Sequence, residues 1–358
     1  MTAPPSPDDV DARALAGRLF DAALACAELL TCSLGHELGL YAALADDPAT
    51  STQTADRAGV DERYAREWLE QQSAAGLLTV DDARRPPQLR RYALPAGHRR
   101  ALLDPADPHY VTSMALTPIA TLAGALPKLA AAFRTGGGVS GDDFAGVHGT
   151  GLNTALDRRD LPTWIADQLP DVHARLHDGG AIADIACGRG DSTVALARAY
   201  PRTSVTGVDR DTVALHTARG ALPPELHGRV TYTEADAATL SGDPATLVCV
   251  FDSLHDMAHP LQVLQAARHL VADDGCVLLL EPRAAERFTA PADPVERFLY
   301  ACSLLHCLPA AMSDPGAQPT GTVLRPPALR ALAVRAGFSA MHVLSPGSRF
   351  HRLYRLNP

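Results

Sequence analysis

Three carboxylates, two closely spaced glycines and one histidine stand where an alternating sequence would gather them at one edge of a sheet. Gly188 and Gly190 fall in ADIACGRGDS, just after the apolar run AIADI; Asp209 closes SVTGVD, Asp236 follows RVTYTE, His255 follows LVCVFDS and Glu281 follows CVLLL. Glycines after a strand let a backbone approach a ligand closely, and an acid at the end of the next strand suits two ribose hydroxyls. A dinucleotide turn of the GxGxxG type would carry a glycine or alanine at position 193, which is Thr193 here. The pattern therefore favours an adenosine cofactor without a pyrophosphate, its amino-acid end lying over the turn. A histidine at a strand end can accept a proton near neutral pH, and a carboxylate beyond it would fix its tautomer. His255 also reads as a capping or packing residue, Asp256 as the N-cap of a following helix and Glu281 as a surface acid. His255 and His259 form HxxxH, but Pro260 interrupts the helical geometry and no third ligand is evident, so no metal is expected.

These residues need an alternating scaffold. From Leu161 short apolar strands and helices succeed one another, as a doubly wound parallel sheet requires, and AMHVLS and FHRLYRL close the chain as a hairpin that adds an antiparallel strand. Before that, residues 1–10 read as a disordered tail rich in Pro and Asp, and two helices follow from Asp11. Ser51 or Thr52 and Asp61 cap a helix pair that ends at Gly59 and Gly76, and LLTV with Arg91–Leu94 completes a winged helix. Its second helix carries Asp61, Glu62, Glu67 and Glu70 against Arg63 and Arg66, which argues against DNA reading. The six arginines of the wing, Arg84, Arg85, Arg90, Arg91, Arg99 and Arg100, read as a solvated loop. The expected organisation is a winged-helix domain over 11–107, linker helices with a glycine-rich linker or lid over 108–152, and an α/β domain over 153–358.

With 46% hydrophobic and 20% charged residues and a formal charge of −9, the chain belongs with ordinary globular proteins and not with those that coat nucleic acid. Its seven cysteines form no CxxC pair and read as buried free thiols of a reducing cytoplasm. MTAPPSPDDVD lacks the pattern of a secretory leader, and no apolar run is long enough to span a bilayer, so a cytoplasmic protein is expected. Arginine nearly replaces lysine, a high-GC coding habit that suggests an actinobacterial source.

DIACGRGDS, TGVDRD, EADA and LLLEP, in this order, resemble the motifs of class I S-adenosylmethionine-dependent methyltransferases, and FDSLHDMAHP resembles the His-Asp segment of small-molecule O-methyltransferases, closest to actinobacterial winged-helix ones. The resemblance implies a Rossmann-like seven-stranded domain, S-adenosylmethionine as cofactor, a small-molecule acceptor and a homodimer formed through the N-terminal domain. It places Asp184, Ala186, Gly188 and Gly190 at the methionine end of the cofactor, Asp209 with Arg210 at the ribose, Asp236 with Ala237 at the adenine, and Phe251 with Asp252 at the fourth strand. It makes His255 the general base, Glu281 the acid that orients it and Asp256 a third catalytic candidate. Two departures stand out: position 186 is alanine where glycine is usual, so a close approach there requires a negative φ, and Val323 holds the place of a second acid beside the histidine. Met114, Phe133, Met257, Tyr300, His306 and Met312 are the substrate-pocket candidates. The expected reaction is methyl transfer to a hydroxyl of a small, largely apolar secondary metabolite. A non-methylating step such as cyclisation, C- or N-methylation, and a metabolite-sensing winged-helix regulator stand as alternatives.

Overall fold

A computed structural model describes residues 6–105, 107, 109–144, 155–345 and 347–358, and the chain divides into two compact units at Ala123/Gly124. The first unit opens on α1 (Pro7–Glu37), one helix of 31 residues where the sequence suggested an unstructured start and two helices. Ser6 and Asp9 close a reciprocal capping box and Pro7 occupies the first turn, so the Pro- and Asp-rich prefix is a helix start. Val10, Leu15, Leu19, Phe20, Leu24, Leu30, Leu34 and Leu38 stand exposed along it. The helix pair α2 (Ser51–Ala58) and α3 (Glu62–Ala74) follows, with Gly59 left-handed between them; α2 is capped by Thr50, one residue earlier than expected, and α3 by Asp61. Gly35 of α1 is demanded by Trp68 of α3, whose ring fills the space a β-carbon would need and whose Nε1 donates to the Thr31 carbonyl at 2.9 Å. Strands β1 (Thr79–Val80) and β2 (Tyr92–Ala93) pair antiparallel as a short wing over a core of Tyr41, Leu44, Trp68, Leu69, Leu78 and Tyr92.

Six arginines of this unit are paired with acids within it. Arg63 pairs with Glu67, Arg66 with Glu62, Arg84 with Asp82, Arg85 with Asp81, Arg90 with Glu70 and Arg100 with Asp107. Cations already matched by acids release few counterions on meeting a phosphate backbone. Helices α4 (Ala96–Leu103), α5 (Thr112–Ala115) and α6 (Thr117–Thr135) come next. The later part of the glycine-rich segment, 145–151, lies outside the described residues, as does the side chain of Met114.

The second unit alternates: α7 (Ala155–Gln168), α8 (Pro170–Asp178), β3 (Gly180–Ile185), α9 (Asp191–Ala199), β4 (Thr203–Asp209), α10 (Thr212–Gly220), β5 (Val230–Glu234), β6 (Ala245–Phe251), α11 (Pro260–Leu270) and β7 (Val271–Pro282). After α12 (Pro294–Cys302), a π-turn over Ser303–Cys307, α13 (Leu308–Ala311) and α14 (Pro326–Arg335), the chain ends in β8 (Ala340–Leu344) and β9 (His351–Asn357). The seven strands lie in the order β5-β4-β3-β6-β7-β9-β8, all parallel except the final hairpin, whose β9 pairs antiparallel with β7 and with β8. The central strands are apolar on both faces because both are covered. Leu247, Cys249 and Phe251 of β6 join one core with Leu161, Ile165 and Leu196, while Val248 and Val250 join the other with Val263, Leu264 and Leu329. Chain order reverses between β3 and β6, and a crevice opens outside the carboxyl ends of strands at such a point. Six of the seven cysteines are buried free thiols; Cys26, on α1, is exposed, contrary to the expectation. Among the described residues no helix is long and apolar enough to cross a membrane.

Candidate active site

The turn after β3 is held from below. Asp184 is buried and accepts hydrogen bonds from the hydroxyls of Ser192 at 2.7 Å and Thr193 at 2.6 Å, so it pins the start of α9 to the end of β3. The N-cap of α9 is Gly190, at φ +80. The space a side chain at Gly190 would need is taken by the Tyr232 ring of β5. Ala186 sits at φ +57, not at the negative φ the sequence reading required, so the alanine accepts left-handed backbone where glycine would be unstrained. Gly188 donates its N–H to Asp209 at 2.7 Å, and the other Asp209 oxygen accepts from the Asp211 N–H at 2.9 Å. A carboxylate has about four acceptor positions, so Asp209 keeps capacity for two hydroxyls.

Above the turn lies a cavity of about 210 Å³ lined by Ala186, Val208, Asp209, Arg210 and Ala235–Ala238 on one side and by Ser253, Asp256–His259, Val263 and Asp314 on the other. Five of the residues assigned to the cofactor meet there: Ala186, Asp209, Arg210, Asp236 and Ala237. Asp184, Gly188, Gly190, Phe251 and Asp252 do not line it. Phe251 is buried in the core, and Asp252, left-handed at φ +49, turns its carboxylate to 3.7 Å from Nε2 of His351 on β9. Arg210 reaches Asp314 at 2.7 Å, which ties the end of β4 to the loop after α13, and the Gln318 N–H donates to the Ala258 carbonyl at 2.7 Å. Acid at the β4 and β5 ends, with small and apolar walls of Ala237, Ala238, Met257 and Val263, fits an adenosine group with its ribose at Asp209.

His255 is buried beside this cavity. Its Nδ1 lies 2.8 Å from Oε2 of Glu281, itself fully buried, whose second oxygen accepts the Leu254 N–H at 3.1 Å. Glu281 is thus no surface acid. Nε2 stands 3.2 Å from Asp256 Oδ1, so Asp256 faces the imidazole, and the N-cap of α11 is His259. Asp256 thus sets a second carboxylate against the imidazole, whereas the resemblance implied one at the position of Val323. Burial alone would pull the imidazole pKa down, but the Asp256 and Glu281 carboxylates outweigh it and hold it well above the ordinary value. Burial pushes Glu281 upward, partly opposed by His255. The Cys307 thiol, pushed up to about 12 by burial with Asp256 adding to it, completes the enclosure.

The substrate candidates scatter. Met257 lines the cavity, and the π-turn carries His306 against Phe144 with ring centroids 4.7 Å apart. The Tyr300 hydroxyl accepts from Arg325 at 3.1 Å. Met312, half-buried, backs onto the glycine-rich segment: a β-carbon at Gly138 would collide with the Met312–Ser313 backbone, and Val139 N–H donates to the Pro309 carbonyl at 2.9 Å. Phe133 is 68% exposed on α6 and is not a pocket residue in this structure, because apolar type alone does not decide which helix face is covered. Sequence reading missed Asp314 and Cys307. A lone cysteine in an apolar run carries no spacing signal, and an acid in a loop signals only a loop.

Comparison with known proteins agrees with this architecture. Residues 25–105 match the family model described as an Rv2258c-like winged HTH domain, and residues 182–275 match one described as a methyltransferase domain. A curated relative from Syntrophotalea carbinolica, the ubiquinone/menaquinone biosynthesis C-methyltransferase UbiE, is 28% identical over 162 residues, 44% of this chain and 62% of its own length. The match thus spans less than two thirds of that relative. Among solved structures, the mitomycin 7-O-methyltransferase MmcR superposes with a TM-score of 0.71 at 21% identity over 97% of this chain and 99% of its own. Human N-acetylserotonin methyltransferase, in complex with SAM, gives 0.69 at 18% identity over 100% and 99%. At these identities the structural likeness speaks for the fold.

Proposed function

We propose that this chain, which carries a winged helix-turn-helix domain followed by a methyltransferase domain of the S-adenosylmethionine-dependent class, methylates a hydroxyl of a small, largely apolar metabolite with His255 as the general base. The observation that carries this reading is the His255–Glu281 pair, buried at the β6 and β7 ends beside a cavity walled by Asp209 and Asp236. Bound S-adenosylmethionine supplies an activated methyl group on a sulfonium. Asp209 would hold the ribose hydroxyls, Asp236 the adenine edge, and Met257 an apolar wall.

What remains for the protein is to place a nucleophile and take its proton. Glu281 keeps the Nδ1 proton of His255 in place, which leaves Nε2 as the atom that accepts the acceptor's hydroxyl proton. Asp256, across from Nε2, stabilises the imidazolium that results. A pair built this way has no use in C-methylation of an already acidic carbon or in a cyclisation that needs no proton acceptor, so hydroxyl transfer is preferred over both. The exposed apolar row of α1, on a helix about 46 Å long, supports a homodimer formed through the N-terminal unit. The test is incubation with methyl-labelled cofactor and a panel of small phenols and hydroxylated polyketide-like acceptors. The expected outcome is label on oxygen, with cofactor binding by calorimetry; no binding of either S-adenosylmethionine or S-adenosylhomocysteine would overturn the reading.

A further inference from the structure

Three residues with donor atoms of metal-ligand type converge beside the cavity: His255, Asp256 and Cys307 each offer one such atom, all within 4.8 Å of one another. Nε2 and Oδ1 are 3.2 Å apart, yet Oδ1 is buried and accepts no hydrogen bond among the described residues. The contact is therefore not a well-aligned N–H···O bond. Two donors bound to one tetrahedral zinc at about 2.0–2.1 Å would stand about 3.3 Å apart, close to the spacing observed. The third donor is a sulfur, and an imidazole, carboxylate and thiolate set suits zinc and its neighbours better than magnesium or calcium, which prefer oxygen. Glu281 completes the pattern at 2.8 Å from Nδ1, as the carboxylate that orients a metal-binding histidine from behind. Cys307 arrives there at the end of the π-turn, where the wider winding re-aims a side chain.

We propose that His255, Asp256 and Cys307 bind one divalent cation of the zinc class, with the fourth position open toward the cavity that Asp256 lines. Binding ionises the Cys307 S–H: its electron pair forms the metal bond and its proton passes to water, with no change of oxidation state. The cation takes the Nε2 lone pair that proton abstraction needs, so zinc reversibly blocks turnover. The binding stands independently of the proposed reaction, whereas the block rests on His255 being the base.

The test uses cobalt(II) titrated into the full chain after chelator treatment. One equivalent should bring a thiolate-to-cobalt charge-transfer absorption with the visible bands of tetrahedral cobalt, and zinc should displace both. Cys307→Ser should lose the charge-transfer absorption, Cys26→Ser should keep it, and Glu281→Gln should weaken affinity about 10- to 100-fold. Absence of the absorption in the unaltered chain, or its full retention in Cys307→Ser, overturns the site. Should Cys307→Ser fail to fold, Asp256→Asn decides: a half-exposed side chain can be changed there, and unchanged cobalt affinity would equally overturn it. Calorimetric cofactor binding, measured in parallel, separates the outcomes, since its loss would end the methyltransferase reading and leave the metal site standing.

Discussion

The turn after β3 and the cluster around His255 lie at the ends of neighbouring strands, but they are made of different material. The turn is backbone: left-handed residues at 186, 188 and 190, the Gly188 N–H meeting Asp209, and one buried acid tying Ser192 and Thr193 beneath. The cluster is side chain: a histidine and an acid after β6, an acid at the end of β7 and a thiol from the π-turn. A backbone site tolerates little change of residue at its own positions and is indifferent to most others. A side-chain site depends on remote segments and is tuned by charge.

Substitutions can test that division. The largest expected effect is His255→Ala, which should lower the turnover rate by about 10²–10⁴-fold while calorimetry shows cofactor affinity unchanged; equal turnover would remove the base from the mechanism. Asp209→Ala should do the reverse, weakening cofactor affinity about 10- to 100-fold through the loss of charge-assisted hydrogen bonds. Gly190→Ala should cost about 1–3 kcal/mol of stability in a denaturant titration, from left-handed strain together with the eviction of Tyr232. A pH profile of chelator-treated protein should show activity rising through a pKa above the ordinary imidazole value of about 6.5, since the base acts only once its raised pKa is passed. Asp256→Asn removes a carboxylate that favours the imidazolium, so that limb should move to lower pH; a move upward would contradict the assigned cause. The smallest effect belongs to Ala186→Gly, where relief of the φ +57 strain and the added backbone entropy nearly cancel, leaving a gain below about 1 kcal/mol in thermal unfolding.

The same division explains what could be read in advance. Gly188, Gly190, Asp209 and Asp236 follow contiguous strand-turn patterns; the two glycines take left-handed backbone in the turn and the two acids line the cavity. The helix start at Ser6-Pro7 was equally visible, as a cap, a first-turn proline and an acid three residues on, but a prefix rich in Pro and Asp masked it. Ser192 gave no such signal, because only the fold brings Asp184 within reach of its hydroxyl. Asp256 and Val323 could not be weighed against each other from spacing, since which side of an imidazole is left open depends on three segments meeting. Phe133 shows the plainest limit: hydrophobic type names a side chain's preference, while neighbours decide whether it is covered.

Tyr232 carries a consequence for how this chain can drift. Its ring occupies the volume beside Gly190 and also most of the volume beside Gly207, where Cys187 Sγ stands as well, so a turn position and a strand position share one occupant. A larger residue at 207 becomes acceptable only after the tyrosine has been trimmed, and trimming it first leaves a void beside the turn. The order in which substitutions arrive therefore decides whether they are tolerated, and variants of β5 should rescue changes at Gly207 that fail alone.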